Sequence, residues 1–386
     1  MKLVKNKIPY SLRAHSLLNR LKIKIYDYYS IANALAHEVD YLIVGCYNTS
    51  NIGDIALGKG LSQYFSDRGK THAVVSFKAL KYLRFIRFNS LVLGGGGILT
   101  THDTSPIKHN LSELNRLNKN IYLVGVSGSL DTSSLTNEYL KFLKSCKAIS
   151  LRSDDSYKSL KTLNIKNIHI HNDLAFLIEG DDSKKYDKKT LAFNVFAPLI
   201  TVSRTDLYQE LEPSKWYREN LPRESEVYKE IPISYIKNIK SMIQLAKEYE
   251  FKTTIVSFTL EDYILSRMLF KSYADEILPY EINPDKLLKT IGGFDKVVAT
   301  RFHAHVFSLI SGKSIFSMAY AYKCKHLYQN FGLDDKYCYE PLEWVCNNKE
   351  ILENFKYFLE SKSNCMSNTY EVKKEIYKVL DNLFEK

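Results

Sequence analysis

The chain has 386 residues, 45% of them hydrophobic and 25% charged, ordinary proportions for a globular protein. That length excludes a single small core and suits two α/β lobes of roughly 150 to 200 residues each. Lysine and arginine outnumber the acids 54 to 43, and the net charge of +11 suits nucleic acid, anionic lipid, or phosphorylated and carboxylated substrates. No zinc-finger, basic-zipper or RNP pattern occurs, so nucleic acid is not an expected partner.

Residues 1 to 38 form a basic, partly amphipathic segment in which Leu17, Leu18, Leu21, Ile25 and Tyr28 recur at roughly helical spacing. We read it as a helix packed on the domain, with a membrane-surface anchor as the alternative. Ile8 to Leu21 is interrupted by Arg13, His15 and Arg20, and no small-residue cleavage site follows, so no export signal is expected. Leu191 to Ser203 is the longest apolar run and falls short of the roughly 18 residues of a membrane span. A cytoplasmic protein is expected, with room for peripheral contact at the inner membrane and for a homo-oligomer.

β-rich runs follow at Tyr41 to Gly45, Ala73 to Phe77, Leu91 to Leu93, Ile121 to Val126, Ala148 to Leu151 and Ile168 to Ile170, separated by helix-length segments. This alternation predicts βαβ units on a parallel sheet, a Rossmann-like lobe over 39–180. The Asp, Lys, Ser and Gly cluster from Glu179 to Lys189 reads as a linker. Strand-like runs resume at Leu191 to Phe196, Thr254 to Phe258, Lys296 to Thr300 and Ser314 to Met318, a second such lobe over 190–345. Arg204 to Glu230, charged and aromatic without a period, reads as an insertion near the cleft, and 346–386 as closing helices. The expected fold class is α/β, two doubly wound lobes facing a cleft. The six cysteines form no CxxC pair, so reduced thiols are expected, with no disulfide and no structural metal.

Four segments carry candidate chemistry. In Tyr41 to Leu57 a strand meets a helix start through Gly45, Asn51, Gly53 and Asp54, with Asp54 placed as the helix cap; a purely structural βα turn is the competing reading. The GxGxxG spacing of a dinucleotide site is missing there. Gly94 to Gly97 close a buried strand and can present bare N–H groups to an anion, or let another lobe pack close, with His102 and Asp103 just beyond. Arg152, at the end of the Ala148 to Leu151 strand, either points into the ligand crevice or pairs with Asp154 or Asp155. Val297 to Gly312 is the most informative segment. A strand ends at Thr300 and a helix starts near Arg301, which puts Arg301 and His303 in its first turn, where N–H dipoles favour an anion, and His305 on the Arg301 face. Tyr320, Lys323 and Lys325 leave the next strand and add cationic groups to that edge.

The order Gly45…Asn51-Ile-Gly-Asp54, Gly94-Gly-Gly-Gly-Ile-Leu99, Leu151-Arg-Ser-Asp154, Asp173-Leu-Ala-Phe176, Thr300-Arg-Phe-His-Ala304 and Tyr320…Lys323 resembles that of the polysaccharide pyruvyl transferases, over roughly 41 to 334. The resemblance implies two Rossmann-like lobes of the glycosyltransferase-B type, phosphoenolpyruvate as donor, and a hydroxyl pair on a glycan or lipid-linked oligosaccharide as acceptor. It implies that Arg301 and Arg152 hold the donor's phosphate and carboxylate and that His303 is the general acid. Asn51, Asp54, Gly95, Gly96, Gly97, His102, His305, Tyr320 and Lys323 complete the candidate substrate-binding set. Two departures from the family pattern, Gly125-Val-Ser-Gly-Ser129 without proline and Leu174 for the common proline after Asp173, bear on the acceptor more than on the donor.

The residue types suit that chemistry. Planar guanidinium forks match phosphate and carboxylate, and an imidazole with an ordinary pKa near neutrality suits proton transfer to an enol carbon. No cofactor is expected beyond the donor substrate. A nucleotide-sugar-dependent glycosyltransferase of the same fold and a non-catalytic glycan-binding protein are the rival readings.

Overall fold

The computed structural model describes residues 10–102, 105–128, 130, 134–179, 189–202, 209–213, 230–361 and 368–385. Asp103, Cys365, most of the 179–189 linker and most of the 204–230 insertion lie outside the described residues.

The first set of apolar runs forms β1 (Val39–Gly45), β2 (His72–Ser76), β3 (Phe88–Gly96), β4 (Asn120–Val126), β5 (Ala148–Leu151) and β6 (Ile168–Ile170). They make one parallel sheet in the order β2-β1-β3-β4-β5-β6. Its central strands are buried almost end to end, as a parallel sheet covered by crossover helices on both faces requires. Val44 lies beside Val75 on one side and Leu93 on the other. The chain steps outward from β1 to β2, then returns to set β3 on the other edge of β1. The switch point of this sheet is therefore the pair of carboxyl ends of β1 and β3.

The second sheet repeats the scheme. β7 (Thr190–Phe193) is followed by a short antiparallel pair, β8 (Ile200–Val202) with β9 (Gln209–Pro213), and then by β10 (Lys252–Ile255), β11 (Glu276–Ile277), β12 (Lys296–Ala299), β13 (Ser314–Met318) and β14 (Cys338–Tyr339). The parallel order is β11-β10-β7-β12-β13-β14, with the switch point at β7 and β12. The two-residue edge strands β11 and β14 are too short for any sequence period to reveal.

Two compact units contain these sheets. Arg20–Glu179 with Thr369–Lys386 make the β1–β6 unit; Met1–Asn19 with Gly180–Asn368 make the β7–β14 unit. The last helix, Thr369–Phe384, joins the first sheet because its apolar stripe of Ile376, Leu380 and Leu383 is buried there. Phe384 packs on Tyr41, Phe65 and Tyr122 at centroid distances of 5.2, 4.9 and 4.8 Å, and Asp381 pairs with Arg68 at 2.7 Å. The Tyr10–Ala36 helix precedes β1. No described helix is long and apolar enough to cross a membrane.

Candidate functional site

In the β7–β14 unit, Asn194 ties the two strand ends of the switch point together. Its Oδ1 accepts from the Arg301 amide at 2.8 Å, and its carbonyl accepts from Thr300 Oγ1 at 3.0 Å. With the Thr300 proton pointing there, the buried Tyr235 hydroxyl donates to Thr300 Oγ1 (2.9 Å) and accepts from the Phe196 amide (3.1 Å). Burial holds the Tyr235 phenol well above its ordinary pKa, so it stays a donor.

Arg301 immediately precedes the Phe302–Ile310 helix with an extended backbone (φ −71°, ψ 145°), rather than lying within the first turn. Its guanidinium therefore swings back across the sheet edge to Asp262. Nε donates to Oδ2, and Nη2 donates to Oδ1 at 2.8 Å and to Thr259 Oγ1 at 3.2 Å. Asp262 is fully buried in the first turn of the Leu260–Leu269 helix, where it closes a capping box with Thr259. Its Oδ1 also accepts from the Ala197 amide at 2.9 Å. Burial works against charge on Arg301, but the Asp262 carboxylate outweighs it and holds the pKa above its ordinary value. A fork so clamped keeps one orientation. The sequence reading missed Asp262, although Thr259-Leu-Glu-Asp262 is a capping-box pattern; nothing local pairs it with an arginine 39 residues away.

An aromatic column extends from this pair. The Arg301 guanidinium lies 4.8 Å from the Phe196 ring centroid, and Phe196 stacks on Tyr320 at 4.1 Å. Lys323, exposed in the first turn of the Tyr322–Asn330 helix, sets Nζ 5.2 Å from the Tyr320 ring and 5.6 Å from Phe302. His303 stands edge-on to Phe302 at 5.3 Å and is buried, with 8% of its surface exposed. Arg301, Tyr320, Lys323 and His303 are thus linked through two phenyl rings.

Two expected members of this group go elsewhere. His305 does not share a ligand-facing side with Arg301. Its ring turns into the unit, Nδ1 bonding the Arg301 carbonyl at 2.8 Å and Nε2 the Ser317 hydroxyl at 2.8 Å. A carbonyl only accepts, so Nδ1 carries the proton and Nε2 accepts. Burial pushes its pKa down to about 4, and the neutral ring positions the Arg301 backbone. Lys325 pairs with Glu340 at 2.7 Å.

In the β1–β6 unit, Asn51 is the helix cap rather than Asp54, because the helix begins at Ile52. Its Oδ1 accepts from the Gly53 amide at 3.2 Å, while its Nδ2 donates to Asp54 Oδ2 at 3.0 Å in the first turn. Strand β3 runs on through Gly96, so Gly94, Gly95 and Gly96 are strand and only Gly97 lies beyond it, exposed. A Cβ on Gly94 would lie 2.5 Å from Leu61 Cδ1, and one on Gly95 (φ +73°) 2.6 Å from Leu57 Cβ. Those two glycines let the unit's own Ile52–Asp67 helix lie on the strand. Gly96 and Gly97 are less crowded: an added Cβ on Gly96 would sit 3.8 Å from Leu57 Cδ1 and 3.9 Å from Asp54 Oδ1, and one on Gly97 4.0 Å from the Ser127 carbonyl. His102 is exposed on the surface beyond.

Arg152 follows β5, and its carboxylate partner is Asp173, 21 residues on, which accepts from Nη1; Nε donates to Ser127 Oγ at 3.0 Å. Asp173 is buried and caps the Leu174–Leu177 turn through the Ala175 amide at 2.9 Å. Behind the pair lies His171, its Nε2 2.9 Å from Ser150 Oγ, with a pKa pushed down by burial to about 4. The two departures from the family pattern meet here, since a Cβ on Gly125 would lie 2.4 Å from Leu174 Cδ1.

Cys46, Cys146, Cys324, Cys338 and Cys346 are free thiols. No cluster of three or more His, Cys, Asp or Glu suited to a metal occurs among the described residues.

A model of the polysaccharide pyruvyl transferase family matches residues 51–322, more than two thirds of the chain. The chain belongs to the polysaccharide pyruvyl transferase family. No curated protein matches this family member. Solved structures similar to it include the UDP-GlcNAc 2-epimerase of Neisseria meningitidis bound to UDP-GlcNAc (9% identity over 90% of this chain and 99% of that one, TM-score 0.51). The enzyme of the same name from Methanocaldococcus jannaschii is 11% identical over 89% and 99%, with a TM-score of 0.50. A putative UDP-N-acetylglucosamine 2-epimerase from Listeria monocytogenes is 7% identical over 90% and 97%, with a TM-score of 0.51. At such identities the likeness shows the fold alone, two parallel α/β sheets of the glycosyltransferase-B type. Asp262 and Arg301, Asp173 and Arg152 all fall within the matched region.

Proposed function

We propose that this protein transfers the pyruvyl group of phosphoenolpyruvate to two hydroxyls of a sugar in a surface polysaccharide or its lipid-linked precursor, forming a pyruvate ketal and releasing phosphate. The observation that carries this reading is the clamped Arg301 fork at the β7/β12 switch point, joined through Phe196, Tyr320 and Phe302 to Lys323 and His303, inside the family match.

Phosphoenolpyruvate bears a phosphate and a carboxylate, each a geometric match for a guanidinium. In the proposed reaction, protonated His303 delivers its proton to the methylene carbon, leaving a cation at the enol carbon. One sugar hydroxyl adds there and gives up its proton. The second hydroxyl then takes the place of phosphate, which departs with the C–O electron pair and takes up that hydroxyl's proton, and Arg301 and Lys323 stabilise its remaining charge. Arg152 is proposed as a further anion ligand. Gly96, Gly97 and the Asn51–Asp54 pair are proposed as partners for hydroxyl groups, from the carboxamide, carboxylate and bare backbone they present. The reaction as written needs no metal or redox cofactor.

The test is direct. Purified protein incubated with phosphoenolpyruvate and a panel of galactosides, glucosamine and mannosides should release phosphate and leave a ketal on one sugar, seen by mass spectrometry and NMR. Turnover of a nucleotide sugar instead, or no binding of phosphoenolpyruvate by calorimetry, overturns it.

A further inference from the structure

The Tyr10–Ala36 helix has two apolar sides. From Arg20 onward one side is buried through Ile23, Asp27, Ile31 and Ala34. At 3.6 residues per turn, Leu21, Ile25, Tyr28 and Tyr29 fall opposite these and are 51, 59, 63 and 70% exposed. Lys24 borders this stripe on one edge and Lys22 on the other, both exposed. Asp27, the segment's sole carboxylate, is buried and neutralised by Lys78 at 2.8 Å. Every exposed charge from Arg20 to Ala36 is therefore positive.

Lys78 extends the surface. It bonds Asp27 and sets Nζ 5.5 Å from the Tyr28 ring, which joins the helix to the Phe77–Phe85 turn. That segment shows the same composition: Lys81, Tyr82, Arg84, Phe85 and Arg87 are exposed, with no acid among residues 77–87. Both segments rest on one hydrophobic core, through Ile31 and Ala34 on one side and Ala79, Leu80 and Leu83 on the other.

We propose that this surface of the β1–β6 unit docks on an anionic lipid bilayer. An apolar stripe with basic margins and tyrosines matches a helix lying in the lipid interface, and the uniformly positive flanks select an anionic headgroup layer. No described helix can span, so the mode is peripheral. A second copy of this chain would meet the same positive charge on itself, which disfavours self-pairing through this face.

The proposal stands apart from the donor chemistry and is tested without substrate. Full-length protein is sedimented with vesicles of phosphatidylcholine, alone or mixed with phosphatidylglycerol, at low and at physiological salt. Binding to the anionic vesicles should exceed binding to the neutral ones about tenfold and weaken with salt. Leu21→Ser/Ile25→Ser should cut anionic binding about tenfold with charge unchanged, and Lys22→Glu/Lys24→Glu/Lys81→Glu should cut it at least as far. All five positions are exposed, and matched circular dichroism and thermal midpoints certify the fold. Equal partition onto both vesicle types overturns the proposal, as does wild-type binding by the serine pair. A dimer in sedimentation velocity that the serine pair abolishes also overturns it, naming a second copy as the occupant.

Discussion

The two units solve the same problem twice. Each sets an arginine just past a parallel strand and clamps it on a carboxylate buried at a helical start, Arg301 on Asp262 and Arg152 on Asp173. Each backs that arginine with a neutral histidine whose Nε2 meets a strand serine, His305 on Ser317 and His171 on Ser150. The difference lies at the switch points. In the β7–β14 unit the arginine itself stands there, stacked on aromatics that lead to an exposed lysine. In the β1–β6 unit that place holds Asn51, Asp54 and the glycines, and the arginine follows β5, two strands from β3. A clamped arginine occurs in both units and so does not by itself mark a donor site. The aromatic column and Lys323 set the second unit apart.

His303 bears hardest on that contrast. His303→Gln should lower turnover by about 10² to 10⁴ fold while phosphoenolpyruvate affinity by calorimetry changes little. His171→Gln, in the other unit, should not give that pattern. Since His303 is buried, an unchanged turnover number would remove it from the chemistry outright.

The arginine clamps should weigh alike in stability and unlike in binding. Removing either cation leaves a buried carboxylate, so Arg301→Ala and Arg152→Ala should each cost about 3–5 kcal/mol in denaturant unfolding. Arg301→Lys keeps the charge but loses the fork, and it should weaken phosphoenolpyruvate binding more than Arg152→Lys does. The reverse order would move the donor site to the β1–β6 unit.

Acid should strain both units together. His305 and His171 have folded pKa values depressed from 6.5 to about 4. The unfolded chain therefore binds the extra protons between those values. Stability is full above pH 6.5 and declines as pH falls toward 4, by up to about 3 kcal/mol per histidine. Urea melts across that range check the slope, and a flat profile would refute the burial of these rings.

The smallest effects separate the glycines. Gly95→Ala forces a Cβ against Leu57 at a left-handed backbone and should cost about 1–3 kcal/mol. Gly97→Ala meets only the Ser127 carbonyl at 4.0 Å and should change stability by under about 0.5 kcal/mol. Any loss of acceptor binding in Gly97→Ala then reads on the ligand alone.

Much of the scaffold was legible in the chain itself. Alternating apolar runs and helix-length gaps announced the parallel strands. Thr300-Arg301 was legible as the end of a strand, the carboxyl edge at which a sheet of this kind opens. The facing of His305 was not legible. Residues 303–309 are all buried, and a helix buried all round has no period from which to read a side. The cap was misplaced by three residues for a related reason: Asn51 and Asp54 are both good first-turn residues, and only the start at Ile52 ranks them.

Local order of residue types, then, determined the element list, the two-sheet class and the positions of Arg301, Arg152 and the glycines. The tertiary structure alone decided what those groups touch. Asp262, Asp173 and Asn194 reach their arginines across 39, 21 and 107 residues, and the last helix crosses back to the first sheet. Such pairings follow from which strand ends the sheet order makes neighbours, and neither propensity nor periodicity encodes that order.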